Sequence, residues 1–165
     1  MVSSLITLDT NVCLDLFLFD DPVSRPLRDM LEEKTLRATT CPDCRDEWLR
    51  VVCRPSLPFN SSRREKGMSD FDRLISCHPH PKRANPLLPV CKDGDDQKFL
   101  ELTFSAGAAC LITWDKALLK LSRHTQRAAS FRVMTPRQFI QIQNSTPQQI
   151  GFAGRSSLSR NASLP

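Results

Sequence analysis

Four carboxylates, Asp9, Glu47, Asp96 and Asp115, are spaced so that they could meet in a folded chain. Asp9 ends the apolar run at residues 5–8 and Asp115 follows the apolar run at 109–113, and both runs read as short buried strands. Glu47 and Asp96 lie in, or at the start of, segments whose apolar residues recur at helical spacing. In a parallel sheet, groups at strand ends and on the following helices converge beyond one edge. Converged carboxylates repel one another and raise each other's pKa unless a cation is shared among them, so a Mg²⁺ or Mn²⁺ site is the physically consistent reading of the four together. Taken singly, each has an ordinary role: Asp9 in a turn, Glu47 on a solvated helix face, Asp96 as a helix-start charge, Asp115 as a helix cap.

The elements that must position these acids alternate. The strand at 5–8 runs into Asp9-Thr10-Asn11, where Thr10 or Asn11 can cap the next element, and residues 20–34 carry Val23, Leu27, Met30 and Leu31 at helical spacing. Residues 36–40 favour a strand, and Pro42 suits the first turn of a helix whose buried side is Trp48, Leu49, Val51 and Val52. Pro55, Pro58, Asn60, Ser61 and Ser62 predict a loop over 54–66 that carries Arg63, Arg64 and Lys66, and a short helix comes after it at 70–75. His78-Pro79-His80-Pro81, Pro86 and Pro89 mark a second irregular stretch. A helix over 96–107 closed by Gly107, the strand at 109–113, a helix through Leu118, Leu119 and Leu121, a strand at 131–134 and a helix begun by Thr135-Pro136 complete the pattern. The fold class expected is α/β, with a mostly parallel sheet covered by helices on both faces. One domain is expected over 1–143, and 144–165, with five Ser, two Arg and no acid, is expected to be a flexible tail.

Composition narrows the function classes. With 165 residues, 40% hydrophobic and 25% charged, the chain has the makeup of one ordinary globular domain, and no apolar run approaches the roughly 20 residues of a membrane span. No Lys or Arg precedes the first apolar stretch, which contains Asp9 and Asp15, so a cytoplasmic location is expected, with seven cysteines as reduced thiols. The net charge of +5 leans towards a polyanionic partner.

Five stretches, in order, resemble the PIN domain family: Leu8-Asp9-Thr10-Asn11-Val12, Pro42-Asp43-Cys44-Arg45-Asp46-Glu47-Trp48-Leu49, Asp95-Asp96-Gln97-Lys98-Phe99-Leu100, Leu111-Ile112-Thr113-Trp114-Asp115-Lys116-Ala117 and Thr135-Pro136-Arg137-Gln138-Phe139. The likeness spans about residues 4–142 and is greatest to the bacterial branch of toxin components of type II toxin/antitoxin pairs. The resemblance implies a three-layer α/β/α, Rossmann-like fold, metal binding and catalysis by Asp9, Glu47, Asp96 and Asp115, and auxiliary roles for Asn11 and Thr113. It further implies a metal-dependent endoribonuclease acting on single-stranded RNA, with an antitoxin and a second copy of the chain as partners. Trp114 stands where that family usually has Gly, and Ala117 where it usually has Asp or Arg.

A divalent ion among the acids would activate water and offset charge on the scissile phosphate, and Lys98, Lys116, Arg50 or the 63–66 cluster could hold the RNA backbone. Self-association is also suggested by Phe17 and Trp48, two large aromatics that need cover. Three rivals are weaker. Cys41 and Cys44 with Cys77, His78 and His80 lack the second Cys-x-x-Cys of a structural zinc site. A phosphatase of the haloacid-dehalogenase type would need a second Asp where Asn11 stands, and no nucleophile motif surrounds His78, His80 or His124. A catalytically silent PIN fold that binds RNA or an antitoxin is the rival from another class.

Overall fold

The computed structural model describes residues 4–79 and 86–145. Five parallel strands form one sheet: β1 (Ser4–Leu8), β2 (Leu36–Thr40), β3 (Ile75–Cys77), β4 (Cys110–Ile112) and β5 (Arg132–Met134), in the order β3-β2-β1-β4-β5. Ile6 of β1 lies opposite Ala38 of β2 and Cys110 of β4, so the central strand is paired on both sides. Side chains alternate across the sheet. Ile6, Leu8, Cys110, Ile112 and Met134 enter one core with Leu27, Trp48, Phe71 and Phe139, while Leu111 and Val133 enter a second core with Phe99, Leu100, Leu118 and Phe131. Two cores on opposite faces of one parallel sheet make the three-layer α/β/α arrangement.

The helices are α1 (Thr10–Leu14), α2 (Arg25–Glu32), α3 (Pro42–Val52), α4 (Ser61–Leu74), α5 (Gln97–Ser105), α6 (Lys116–Lys120), α7 (Ser122–Ala128) and α8 (Pro136–Ser145). A π-helical turn, Asp15–Phe19, continues α1 and is stopped by Asp20 in the left-handed conformation, so the helix expected over 20–34 begins only at Arg25. The last helix passes the expected domain boundary by two residues, and the rest of the segment expected to be a tail, 146–165, lies outside the described residues. Among the described residues no helix is long and apolar enough to cross a membrane.

Two sequence expectations fail. The loop expected over 54–66 ends at Asn60, whose side chain accepts from the Arg63 amide (2.8 Å) and caps a 14-residue helix, α4. The expected short helix at 70–75 is only its final turn, and Ile75 opens β3, where it pairs with Ala38. Arg63, Arg64 and Lys66 are therefore helical, and their charges are already engaged. Arg64 donates to the carbonyls of Phe59 (2.9 Å), Arg54 (3.0 Å), Leu57 (2.8 Å) and Val52, and Arg63 donates to that of Leu18 (2.8 Å). Lys66 pairs with Asp70 (3.0 Å). The cluster expected to be available to a phosphate backbone instead ties down the chain between α3 and α4.

The second failure concerns the exposed aromatics. Phe17 and Trp48 are fully buried within this chain. Trp48 stacks on Phe71 (centroids 5.1 Å apart), and Phe17 meets both rings edge-on. Gly67 of α4 lets this cluster close, because a Cβ there would lie 2.9 Å from the Phe17 carbonyl. No second subunit is needed to cover either ring.

The Arg64 network predicts an asymmetry. Arg64→Ala removes hydrogen bonds to four carbonyls, of which those of Arg54 and Leu57 keep a backbone donor, and should lower stability by about 2 kcal/mol, or about 4–8 °C in a thermal melt. Arg63→Ala removes one carbonyl contact and should cost clearly less. Equal melts for the two variants would refute the network as drawn.

Candidate metal centre

Strand order runs outward from β1 to β2 and β3 on one side and from β4 to β5 on the other, so a crevice opens at the carboxyl ends of β1 and β4. Asp9 is the first residue past β1, and its amide extends the ladder by donating to Ile112 of β4 (3.0 Å). Its side chain is buried, which is costly for a charge unless donors meet it. Three do. Asp9 Oδ2 accepts from Thr113 Oγ1 (2.6 Å) and Asn11 Nδ2 (2.8 Å), and the Thr10 amide adds a third bond. Burial pushes the Asp9 carboxyl above its ordinary range, these donors pull it back, and the Glu47 charge pushes it up again, with a net rise.

Thr113 joins the two strand ends. Its hydroxyl donates to Asp9 and accepts from the Asp115 amide (2.9 Å), so one buried side chain orients an acid at β1 and the backbone of an acid after β4. Asp115 caps α6, accepting from the amides of Ala117 and Leu118. Glu47 sits in the middle of α3, where Oε1 accepts from Thr10 Oγ1 (2.7 Å) and Oε2 pairs with Lys98 of α5. Asp96 heads α5. Burial pushes its carboxyl up to about 6, and the negative charges of Asp9, Asp115, Asp93 and Glu47 add to the rise. All three other candidate acids thus act electrostatically on Asp96.

These acids are neighbours without forming a closed ligand shell: among the described residues, no three His, Cys, Asp or Glu side chains group tightly enough to hold a metal ion. Asp115 is turned to its cap and Glu47 to Lys98. The donor chemistry nevertheless fits a hard divalent cation, since every acid offers oxygen and the strained charge on Asp96 is the kind a cation relieves. Asp115 Oδ2 takes no part in the cap bonds, whereas both Glu47 oxygens are engaged, one by Thr10 and one by Lys98.

The other expected residues fall on either side of this centre. Arg50 and Lys98 line a cleft of about 950 Å³ between α3 and α5, together with Asp43, Asp46, Asp95 and Glu101. Lys116 lines another, of about 510 Å³, with Asp96, Lys92 and Lys120. Trp114, in the position where a Gly was expected, is half-exposed, and its indole N–H donates to Asp15 Oδ2 (2.7 Å), so the ring is anchored to the π-helical turn. Cys41 and Cys44 are buried at the head of α3 with sulfurs 3.5 Å apart, whereas Cys77 is exposed on the edge strand β3; His80 lies outside the described residues.

Thr10, Asp15 and the pairing of Lys98 with Glu47 have functional placements that spacing did not reveal. Thr10 adjoins Asp9 and was legible as polar and near the site, but its partner Glu47 is 37 residues away. Nothing local signals that contact.

Set against known proteins, the chain matches a family model described as PIN domain over residues 6–117. No curated protein matches it.

The raised Asp96 carboxyl has a thermodynamic consequence. A folded-state pKa near 6 against an ordinary 3.8 means that stability is full below about pH 3.8, falls as pH rises through 6, and is flat above. Asp96→Asn removes the repulsion, so in EDTA it should raise the thermal midpoint by a few degrees at about pH 7.5 and change it little at about pH 4. A gain of the same size at both pH values would show that the acids do not repel one another.

Proposed function

Because the chain belongs to the PIN domain family, whose members are generally nucleases, we propose that it is a divalent-metal-dependent endoribonuclease that hydrolyses phosphodiester bonds of single-stranded RNA. The observation that carries this reading is the gathering of Asp9, Asp115 and Glu47 around Asp96 at the crevice between β1 and β4, where burial and those neighbouring charges disfavour the ionised form of Asp96. Such a cluster gains most from a divalent cation, and in a cytoplasmic protein Mg²⁺ or Mn²⁺ is the natural occupant. Asp9, Asp96 and Asp115 would hold it, with Glu47 alongside. Bound there, the ion would supply Lewis acidity towards water and the scissile phosphate.

The chain's own residues prepare that chemistry. Thr113 and Asn11 lock one oxygen of Asp9 by hydrogen bonds, which favours its ionised form and fixes its orientation. Thr10 orients Glu47 in the same way from the opposite side. Lys98 neutralises Glu47 and competes with any cation for its carboxylate. The family resemblance extends the proposal to the toxin partner of a toxin/antitoxin pair.

A second reading, a silent fold that binds RNA or an antitoxin without cutting, is favoured by one observation: the shell of acids is not closed. One experiment separates the two. The protein should cleave labelled single-stranded RNA in Mn²⁺ and stop in excess EDTA. Asp9→Asn and Asp96→Asn should each lose about 100-fold or more while remaining folded, and Asp95→Asn should stay near the parental rate. RNA binding without cleavage under any divalent ion would establish the silent module instead.

A further inference from the structure

Many basic side chains among the described residues are already engaged. Arg25, Arg28, Arg45, Lys66, Arg73 and Lys98 pair with acids, and Arg63 and Arg64 are occupied by backbone carbonyls. Lys34, Arg37, Arg50 and Arg54 form no ion pair among the described residues either, but on α6 and α7 four such residues follow one another in series. Lys116, Lys120, Arg123 and Arg127 are all exposed, and among the described residues none of the four forms an ion pair. Residues 116–129 contain no acid at all.

Their spacing is that of one helix face, i, i+4, i+7 and i+11, and only Leu121, with near-helical backbone angles, separates α6 from α7. Like charges at such spacing repel by a few tenths of a kcal/mol per pair, so the stripe is unfavourable in the free protein and is relieved by a polyanion. It also leads to the acids. Lys116 and Lys120 line the cleft that holds Asp96, and Lys120 lines in turn the depression formed by Arg123, His124 and Arg127. The larger cleft on the other side of Asp96 is bordered by Asp43, Asp46, Asp95 and Glu101, against Arg50 and a Lys98 already paired with Glu47. Phosphates are repelled there.

We propose that Lys116, Lys120, Arg123 and Arg127 form a phosphate-binding track, along which a single-stranded RNA reaches Asp96 over α6 and α7 and not through the cleft between α3 and α5. The proposal rests on the nuclease reading for its endpoint, and on exposed charge alone for its path. Each track residue acts as a point charge towards one backbone phosphate, so binding is insensitive to sequence and steeply dependent on salt. Arg123 and Arg127 serve positioning and affinity; they take no part in the hydrolysis.

The test measures binding of a fluorescent single-stranded RNA to the full chain in EDTA across a salt series. Lys120→Gln, Arg123→Gln and Arg127→Gln together should weaken binding at least about tenfold and reduce the slope of log affinity against log salt by about 2, three lost phosphates at about 0.7 each. Lys34→Gln, Arg37→Gln and Arg54→Gln remove the same net charge elsewhere and should leave the slope close to parental. All six residues are exposed, so folding is not at issue. If both triple variants weaken binding equally, general charge and not the track holds RNA, and the proposal fails. It also fails if an acidic peptide displaces RNA and is itself held more tightly by the stripe, since the surface then belongs to a protein partner. Track-dependent binding in a protein that never cleaves would overturn the nuclease reading and keep the track; acid-dependent cleavage with the slope unaltered in the first triple variant would do the reverse.

Discussion

A carboxylate buried beyond the end of the central strand constrains much of its surroundings. Stripped of water, Asp9 would cost several kcal/mol if left unsatisfied, and each charge-assisted hydrogen bond recovers about 1.5–3. Its donors come from three places: the Thr10 amide at the start of α1, the Asn11 side chain one residue on, and the Thr113 hydroxyl beyond β4. Satisfying Asp9 therefore fixes the relative position of two chain segments 104 residues apart. Thr113 passes the constraint on to Asp115 through its amide, and Thr10 passes it to Glu47 on α3. The crevice is held by this small set of polar contacts as much as by the sheet beneath it.

Two acids of this protein show how environment sets the role of a carboxyl group. Burial pushes Asp70 up, but Lys66, Arg28 and Arg73 outweigh it and hold the group at about 2. Its charge is permanent under ordinary conditions, and it clamps α2 to α4 until pH falls far below the ordinary carboxylate range. Asp96, near other acids and with no cation partner among the described residues, is displaced the opposite way, to about 6. A cluster that gives up stability to keep like charges together points to chemistry, while a cluster that cancels them points to structure.

Trp114 shows the same division on a smaller scale. A bulky ring beside the acids could have swung freely across the crevice mouth, but its hydrogen bond to Asp15 ties it to the π-helical turn. Asp15 in turn accepts from Ser24 (3.4 Å), so the wall of the crevice is continuous with the chain entering α2. The departure from the Gly expected at this position is thus absorbed by a residue 99 positions earlier.

Local order in the chain was sufficient for four of the five strands, for α3 with Pro42 at its first turn and for α8 after Thr135-Pro136, because apolar runs, caps and prolines act on their immediate neighbours. The same locality singled out Asp9, Glu47, Asp96 and Asp115 as candidates once read as motifs, and the fold brings the other three close enough to act electrostatically on Asp96. It could not reveal β3, whose three residues have no period of their own and become a strand only by pairing with β2. Nor could it show that Arg64 is held by four carbonyls, that Lys98 is paired with Glu47, or that Phe17, Trp48 and Phe71 shield one another. Which charges are cancelled and which remain open to a ligand depends on partners tens of residues away. The crossovers of the parallel sheet decide who those partners are, so composition and spacing determined the residue types available here and the tertiary structure alone decided which of them are free to act.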